Sequence, residues 1–251
     1  MNRKPLQGVI NIIRFNWHFY LFAIGLITGL FVIKQIASEW GLLFDFFIGI
    51  ILFNVLISLS VSWYVYDNSG LYSLNWLNFL NIEKGKTIVN INAGFDETSP
   101  ILNHKYQPGK LTVLDFYNPL EHTEVSIKRA RKAYPPYPDT ISVSTSNVGL
   151  KEKSFQYIFL FFAAHEIRNE VEQVILFKQI NQSLALDGKV IVLEHLRDWP
   201  NFLAYNIGFF HFYSKSKWFS TFNKAGLSVT KTIKITPFLT AFILQNNGIA
   251  S

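Results

Sequence analysis

Cysteine is absent from the 251 residues, which excludes disulfides, zinc–thiolate centres and a cysteine nucleophile. Charge is scarce. Asp, Glu, Lys and Arg together make up 16% of the chain, no more than Phe, Trp and Tyr, whereas soluble domains carry about a quarter charged residues. The formal charge is only +6 and no long Lys/Arg run occurs, so nucleic acid is not an expected partner. A basic face held near anionic lipid accounts better for the excess. No Gly-x-Ser-x-Gly is present, which argues against a serine hydrolase of the α/β type. The full Gly-x-Gly-x-x-Gly of nicotinamide enzymes is missing too. His165, Glu166, Glu194 and His195 are acceptable metal ligands by type. Without His-x-x-x-His or His-Glu-x-x-His spacing, however, no metal site is expected.

What is present divides near residue 67. Residues 17–33 contain no Lys, Arg, Asp or Glu, and residues 41–66 contain one, Asp45. Each run is about as long as a helix needs to cross the hydrocarbon core, and each is apolar all round rather than on one face. The short link 34–40 forces an antiparallel hairpin. Trp17, Tyr20, Trp40, Trp63 and Tyr66 lie near the run ends, where amphipathic rings prefer the headgroup level. Arg3, Lys4 and Arg14 precede the hairpin and Lys84 and Lys86 follow it. The positive-inside rule therefore predicts a multi-pass cell-membrane protein with both ends of the hairpin, and the C-terminal domain, in the cytoplasm. Asp45 is expected to snorkel or to pair with Lys34.

Residues 67–251 alternate strand and helix patterns. Strands are predicted at 86–94, 111–117, 140–146, 155–164 and 189–195. Helices are predicted at 96–106, 121–134, 168–186 and 202–226, and an antiparallel strand pair closes the chain around Thr236-Pro237. An amphipathic lead-in covers 66–80. This repetition implies an α/β fold with a doubly wound, mostly parallel sheet behind two transmembrane helices. Its sites should lie at the carboxyl ends of the strands.

Several segments carry a family likeness. LTVLDFY (111–117) ends a second strand in an acid. SFQYIFLFFAAHEI (154–167) resembles a Ser-Phe-Asp entry into a fourth strand, with Gln156 in place of the acid. QINQSLALDGKVIVLEH (179–195) resembles a helix leading into a fifth strand, and YDNSGLYSLNWL a Tyr-Asp lead-in. Together they resemble the class I S-adenosylmethionine-dependent methyltransferases over about residues 66–245. The first loop of that superfamily reads acid-x-Gly-x-Gly-x-Gly. Here it reads Asn90-Ile91-Asn92-Ala93-Gly94-Phe95-Asp96, so only Gly94 matches. The resemblance implies S-adenosyl-L-methionine as cofactor, held by Asn90, Asn92, Ala93 and Gly94, with Asp115 on the ribose. Ser146 lies in the third-strand loop, where the family usually has an acid.

The ends of the fourth and fifth strands deliver His165-Glu166 and Glu194-His195 to one rim. A histidine of ordinary pKa suits proton acceptance during methyl transfer. Either His165 or His195 is the expected base, oriented by Glu166 or Glu194; the alternative is a structural network of Glu and Arg. The expected function is a membrane-anchored methyltransferase for a lipophilic aromatic, quinone or polyene-like acceptor. Its alternative is a non-catalytic domain of the same fold, serving a membrane biosynthetic complex. An enzyme requires an open cleft from His165 and His195 to Gly94, which in a non-catalytic domain would be filled by side chains such as Phe95.

Overall fold

The structure is a computed structural model and describes residues 3–121 and 124–248. The two apolar runs are helices α2 (Trp17–Ile36) and α3 (Gly41–Trp63). Both are long and apolar enough to cross a membrane, and neither is buried by the rest of the protein. Phe22, Ile36 and Leu42 are largely exposed on them, so neither is a core helix of this chain. Lys34 Nζ donates to Asp45 at 2.6 Å, so the one acid of the second run is neutralised at the hairpin tip. α3 ends at Trp63, and a turn of π-helix, Tyr64–Asn68, completes the predicted span.

An additional helix, α1 (Gln7–Phe15), precedes the hairpin. Sequence inspection read this stretch only as a flank. Asp67 caps it, accepting from Gly8 N at 2.7 Å and Val9 N at 2.9 Å, a favourable site for a carboxylate at a helix N-terminus. A Cβ at Gly8 would stand 2.4 Å from Tyr66 Cβ, so only glycine permits this approach.

The globular part is a seven-stranded sheet: β1 (Thr87–Asn92), β2 (Lys110–Asp115), β3 (Ile141–Ser142), β4 (Phe155–Phe161), β5 (Leu184–His195), β6 (Leu227–Thr236) and β7 (Leu239–Asn246). Its order is β3-β2-β1-β4-β5-β7-β6, with β1 to β5 parallel and β7 antiparallel to both neighbours. The order reverses at β1, between β2 and β4, which makes the rim there the topological switch point. The remaining helices are α4 (Ser99–Tyr106), α5 (Val125–Ala133), α6 (Glu170–Ser183), α7 (Trp199–Tyr205) and α8 (Lys215–Lys224).

β4 buries both faces, which explains its unbroken apolar run. Ile158 and Leu160 point into a core closed by Leu176, Phe177, Trp218 and Phe222 of α6 and α8. Phe159 and Phe161 point into a second core with Leu74, Leu77, Leu102 and Tyr106. Burying each such side chain contributes about 1.5–3 kcal/mol.

Several predicted boundaries move. The third strand shrinks to two residues. The lead-in is not an amphipathic α-helix but short 3-10 turns, Leu71–Ser73 and Asn75–Leu80, broken by positive φ at Gly70 and Leu74. α6 stops at Ser183 rather than at Asp187-Gly188, because Leu184 already pairs with Phe155 in β5. The long helix expected over 202–226 becomes α7, a 3-10 segment (Asn206–His211) and α8. Asn206 takes φ 47°, and Ser214 starts α8 by accepting from Lys217 N.

Candidate active site

The first loop leaves β1 at the switch point. Asn90, at the position of the family's acid, is buried and donates to Asp96 Oδ1, Thr98 Oγ1 and Ser99 Oγ. Asn92 donates to Leu114 O at 3.1 Å and accepts from Gly94 N at 3.0 Å, tying the loop to β2. Ala93 is buried, and Gly94 takes φ +96°, a conformation L side chains resist. Asp96 Oδ1 accepts from Thr98 N and Ser99 N, both at 2.9 Å, and so opens α4. Its Oδ2 is buried with no partner among the described residues.

Asp115 ends β2 opposite Asn92. Its Oδ1 accepts from Tyr117 N at 2.9 Å, and its Oδ2 accepts from Arg131 of α5. The Arg131 guanidinium lies 4.6 Å over the Tyr117 ring. A Cβ at Gly94 would meet Arg131 Cδ and Nη1 at 2.9 Å, so this one side chain covers the loop as well as the acid. Phe95 packs in a cluster with Phe15 of α1, at 5.7 Å between ring centroids, and Tyr134, at 5.4 Å. Ser146 is exposed, near Ser144 Oγ at 2.8 Å. The backbone cradle, the acid and an orphaned carboxylate oxygen therefore suit the cofactor of the resembled family, whereas the resting position of Arg131 does not. Sequence inspection treated α5 only as a charged helix and missed this residue.

The two histidines separate. Glu194 and His195 are successive strand residues and face opposite sides of the sheet. Glu194 reaches across to His165, accepting from its backbone N at 3.2 Å and standing 2.6 Å from Nδ1. His165 Nε2 lies 3.0 Å from Glu166 Oε1. Burial alone would push this imidazole down, but the Glu194 and Glu166 carboxylates outweigh it and hold it up at about 10. At neutral pH His165 is therefore protonated in this setting and has no lone pair with which to take a proton. Burial would likewise push Glu166 up, and His165 beside it holds it well below the usual carboxylate range. His211, from the 3-10 segment, joins this cluster, with Nε2 3.6 Å from Glu166 Oε1 and Nδ1 3.1 Å from Glu124 Oε1.

His195 faces the other side of the sheet, towards Tyr66 in the turn that follows α3. Its Nδ1 lies 3.1 Å from both Asn201 Oδ1 and Phe238 O. Asn201 donates its amide to Asp198 Oδ1 at 2.8 Å, which fixes Oδ1 as an acceptor. Nδ1 therefore carries the proton, and Nε2 accepts from Tyr66 OH at 2.8 Å. Burial pushes this histidine down to about 4 despite those hydrogen bonds. The neutral form is favoured by folding, so the stabilisation is full above pH ~6.5 and is lost as pH falls towards 4. Between pH 7 and pH 5 wild-type protein should lose about 2 kcal/mol more stability than His195→Gln. Denaturation midpoints of both proteins at the two pH values measure this, and parallel profiles would contradict it.

No protein-family model and no curated protein matches the chain. Solved structures do. A SAM-dependent methyltransferase from Aquifex aeolicus superposes with a TM-score of 0.52 at 13% identity, over 72% of this chain and 94% of that one. One from Clostridium acetobutylicum gives 0.51 at 10% identity, over 71% and 91%. One from Leishmania major gives 0.50 at 16% identity, over 72% and 74%. The fold is that of the class I S-adenosylmethionine-dependent methyltransferases, with two long apolar helices added near the N-terminus.

Proposed function

We propose that this protein is a membrane-anchored methyltransferase that uses S-adenosylmethionine and acts on a lipophilic acceptor. The observation that carries the reading is a carboxylate, Asp115, ending β2 beside a positive-φ glycine turn at the switch point of this fold. Bound there, the cofactor would supply an electrophilic methyl group. Asp115 would accept from the ribose hydroxyls, and the backbone around Gly94 would approach the methionine end. Arg131 must first swing off Asp115, which its length and partial exposure allow. Neither rim histidine offers a free lone pair, because His165 carries a proton and His195 Nε2 accepts from Tyr66 OH. Alignment of acceptor and methyl group would supply most of the catalysis.

The acceptor is taken to be lipophilic because the rim adjoins apolar surface. α7 lies against α3, tied to it by Asn206 donating to Asn54 Oδ1 at 2.7 Å, and exposes Trp199 and Leu203. Such a face suits the headgroup boundary of a bilayer. The charges flanking the hairpin support a cytoplasmic domain.

A second reading is a non-catalytic binding domain at the membrane. It is favoured by Arg131 resting on Asp115 and over the Gly94 loop. Calorimetric titration of S-adenosylmethionine into detergent-solubilised wild type and Arg131→Ala separates the two. Opening the acid and the loop should raise affinity by about fivefold at most in the variant, the ion pair being worth about 1 kcal/mol or less. Absence of binding to either folded protein would favour the second reading.

A further inference from the structure

His165, Glu166 and His211 bring their ligand atoms within 4.8 Å of one another. Their arrangement is more specific than a cluster of charge. Each imidazole has a carboxylate on its far nitrogen: Glu194 Oε2 at 2.6 Å from His165 Nδ1, and Glu124 Oε1 at 3.1 Å from His211 Nδ1. Metal-binding histidines are oriented in this way, with the outer carboxylate fixing the tautomer and leaving the other nitrogen free to coordinate. The two near nitrogens face a single oxygen, Glu166 Oε1, at 3.0 Å and 3.6 Å. Ligand atoms bonded at about 2.0–2.1 Å to one ion stand roughly 3.0–3.4 Å apart, so only small side-chain movements are needed. The rings stand nearly perpendicular, at 78° and 5.2 Å between centroids.

We propose that His165 Nε2, Glu166 Oε1 and His211 Nε2 form a binding site for one divalent first-row transition-metal ion, with Glu194 and Glu124 as its outer carboxylates. Two imidazoles and one carboxylate suit Zn²⁺ or Fe²⁺ rather than Mg²⁺ or Ca²⁺, and three protein ligands leave a position open. The Arg168 guanidinium donates through Nη1 to His211 O at 2.7 Å, and its Nη2 lies against both ring nitrogens of His211, 2.5 Å from Nε2, so it must leave that nitrogen before an ion binds. It is exposed and can turn aside while keeping that carbonyl. The site joins the end of β4 to the 3-10 segment Asn206–His211 and, through the outer carboxylate of Glu124, reaches the N-terminus of α5. The inference is independent of the methyl-transfer reading.

The test uses the full chain in detergent, stripped with a chelator and titrated with Zn²⁺ by calorimetry and with Co²⁺ by visible absorption. One ion per chain with a micromolar or tighter Kd is expected, together with Co²⁺ d–d bands of nitrogen and oxygen coordination. His211→Ala should weaken binding at least 100-fold and abolish those bands, and Glu124→Gln should weaken it about tenfold. His211 is only half-buried, on a short segment, so its variant keeps the fold; an unchanged metal-free Tm verifies that. Failure of wild-type protein to bind either ion at micromolar concentrations would overturn the proposal. So would unchanged affinity in folded His211→Ala.

Discussion

Asp115→Ala is expected to reduce affinity for S-adenosylmethionine about a hundredfold while leaving the fold and the membrane helices intact. A carboxylate accepting from a ribose diol makes charge-assisted hydrogen bonds, worth about 1.5–3 kcal/mol each. Two competing effects must be weighed. The substitution also frees Arg131, which would otherwise have to be displaced, and this favours binding. That ion pair is partly solvent-exposed on the arginine side, so its loss offsets only about 1 kcal/mol or less. The net effect remains a large loss. Asp115→Asn, which frees Arg131 but keeps an acceptor oxygen, should fall between wild type and Asp115→Ala. Calorimetry on the three proteins measures this, with far-UV circular dichroism as the control for folding. Affinity in Asp115→Ala equal to that of wild type would sink the ribose assignment.

Glu194→Ala should cost about 3–5 kcal/mol of stability. Glu194 is fully buried on β5 and holds His165 through both the backbone N and Nδ1. Removing it leaves a buried imidazole and amide without their acceptor, and such an uncompensated group is costlier than the pair was worth. Glu194→Gln keeps an acceptor oxygen for only one of the two donors, the His165 backbone N or Nδ1, and should fall between Glu194→Ala and wild type. The double variant His165→Leu/Glu194→Met removes both partners in similar volume and should recover most of the loss. Urea unfolding of the four proteins, followed by tryptophan fluorescence, gives the comparison. Equal stability of wild type and Glu194→Ala would mean that the cluster carries no structural weight.

Most of the fold was legible because its signals are local. Two runs long enough to cross a bilayer, with Asp45 as their one charged residue, need no partner to be recognised. Phe155–Phe161 reads as a doubly buried strand from composition alone, and Asp115 stands out as an acid closing a short apolar strand. Helix boundaries were less legible. Leu184 continues a helical pattern in sequence but is drawn into β5 by pairing with Phe155. Gly70 and Leu74 break the lead-in with left-handed backbone that periodicity does not register.

The sequence by itself determined the two long apolar helices, the alternating α/β order, the rim to which His165, Glu166, Glu194 and His195 are delivered, and the loop that retains only Gly94. Tertiary structure decided which of these groups meet. Strand alternation parts Glu194 from His195, and a neighbouring parallel strand gives Glu194 to His165 instead. Helix α5 carries Arg131 to Asp115 and follows Glu124, which meets His211, some 90 residues on. These pairings depend on where helices dock over the sheet. Docking is set by the summed burial of apolar faces that no single motif encodes, so the chemistry of the rim was written in the packing rather than in the spacing of its residues.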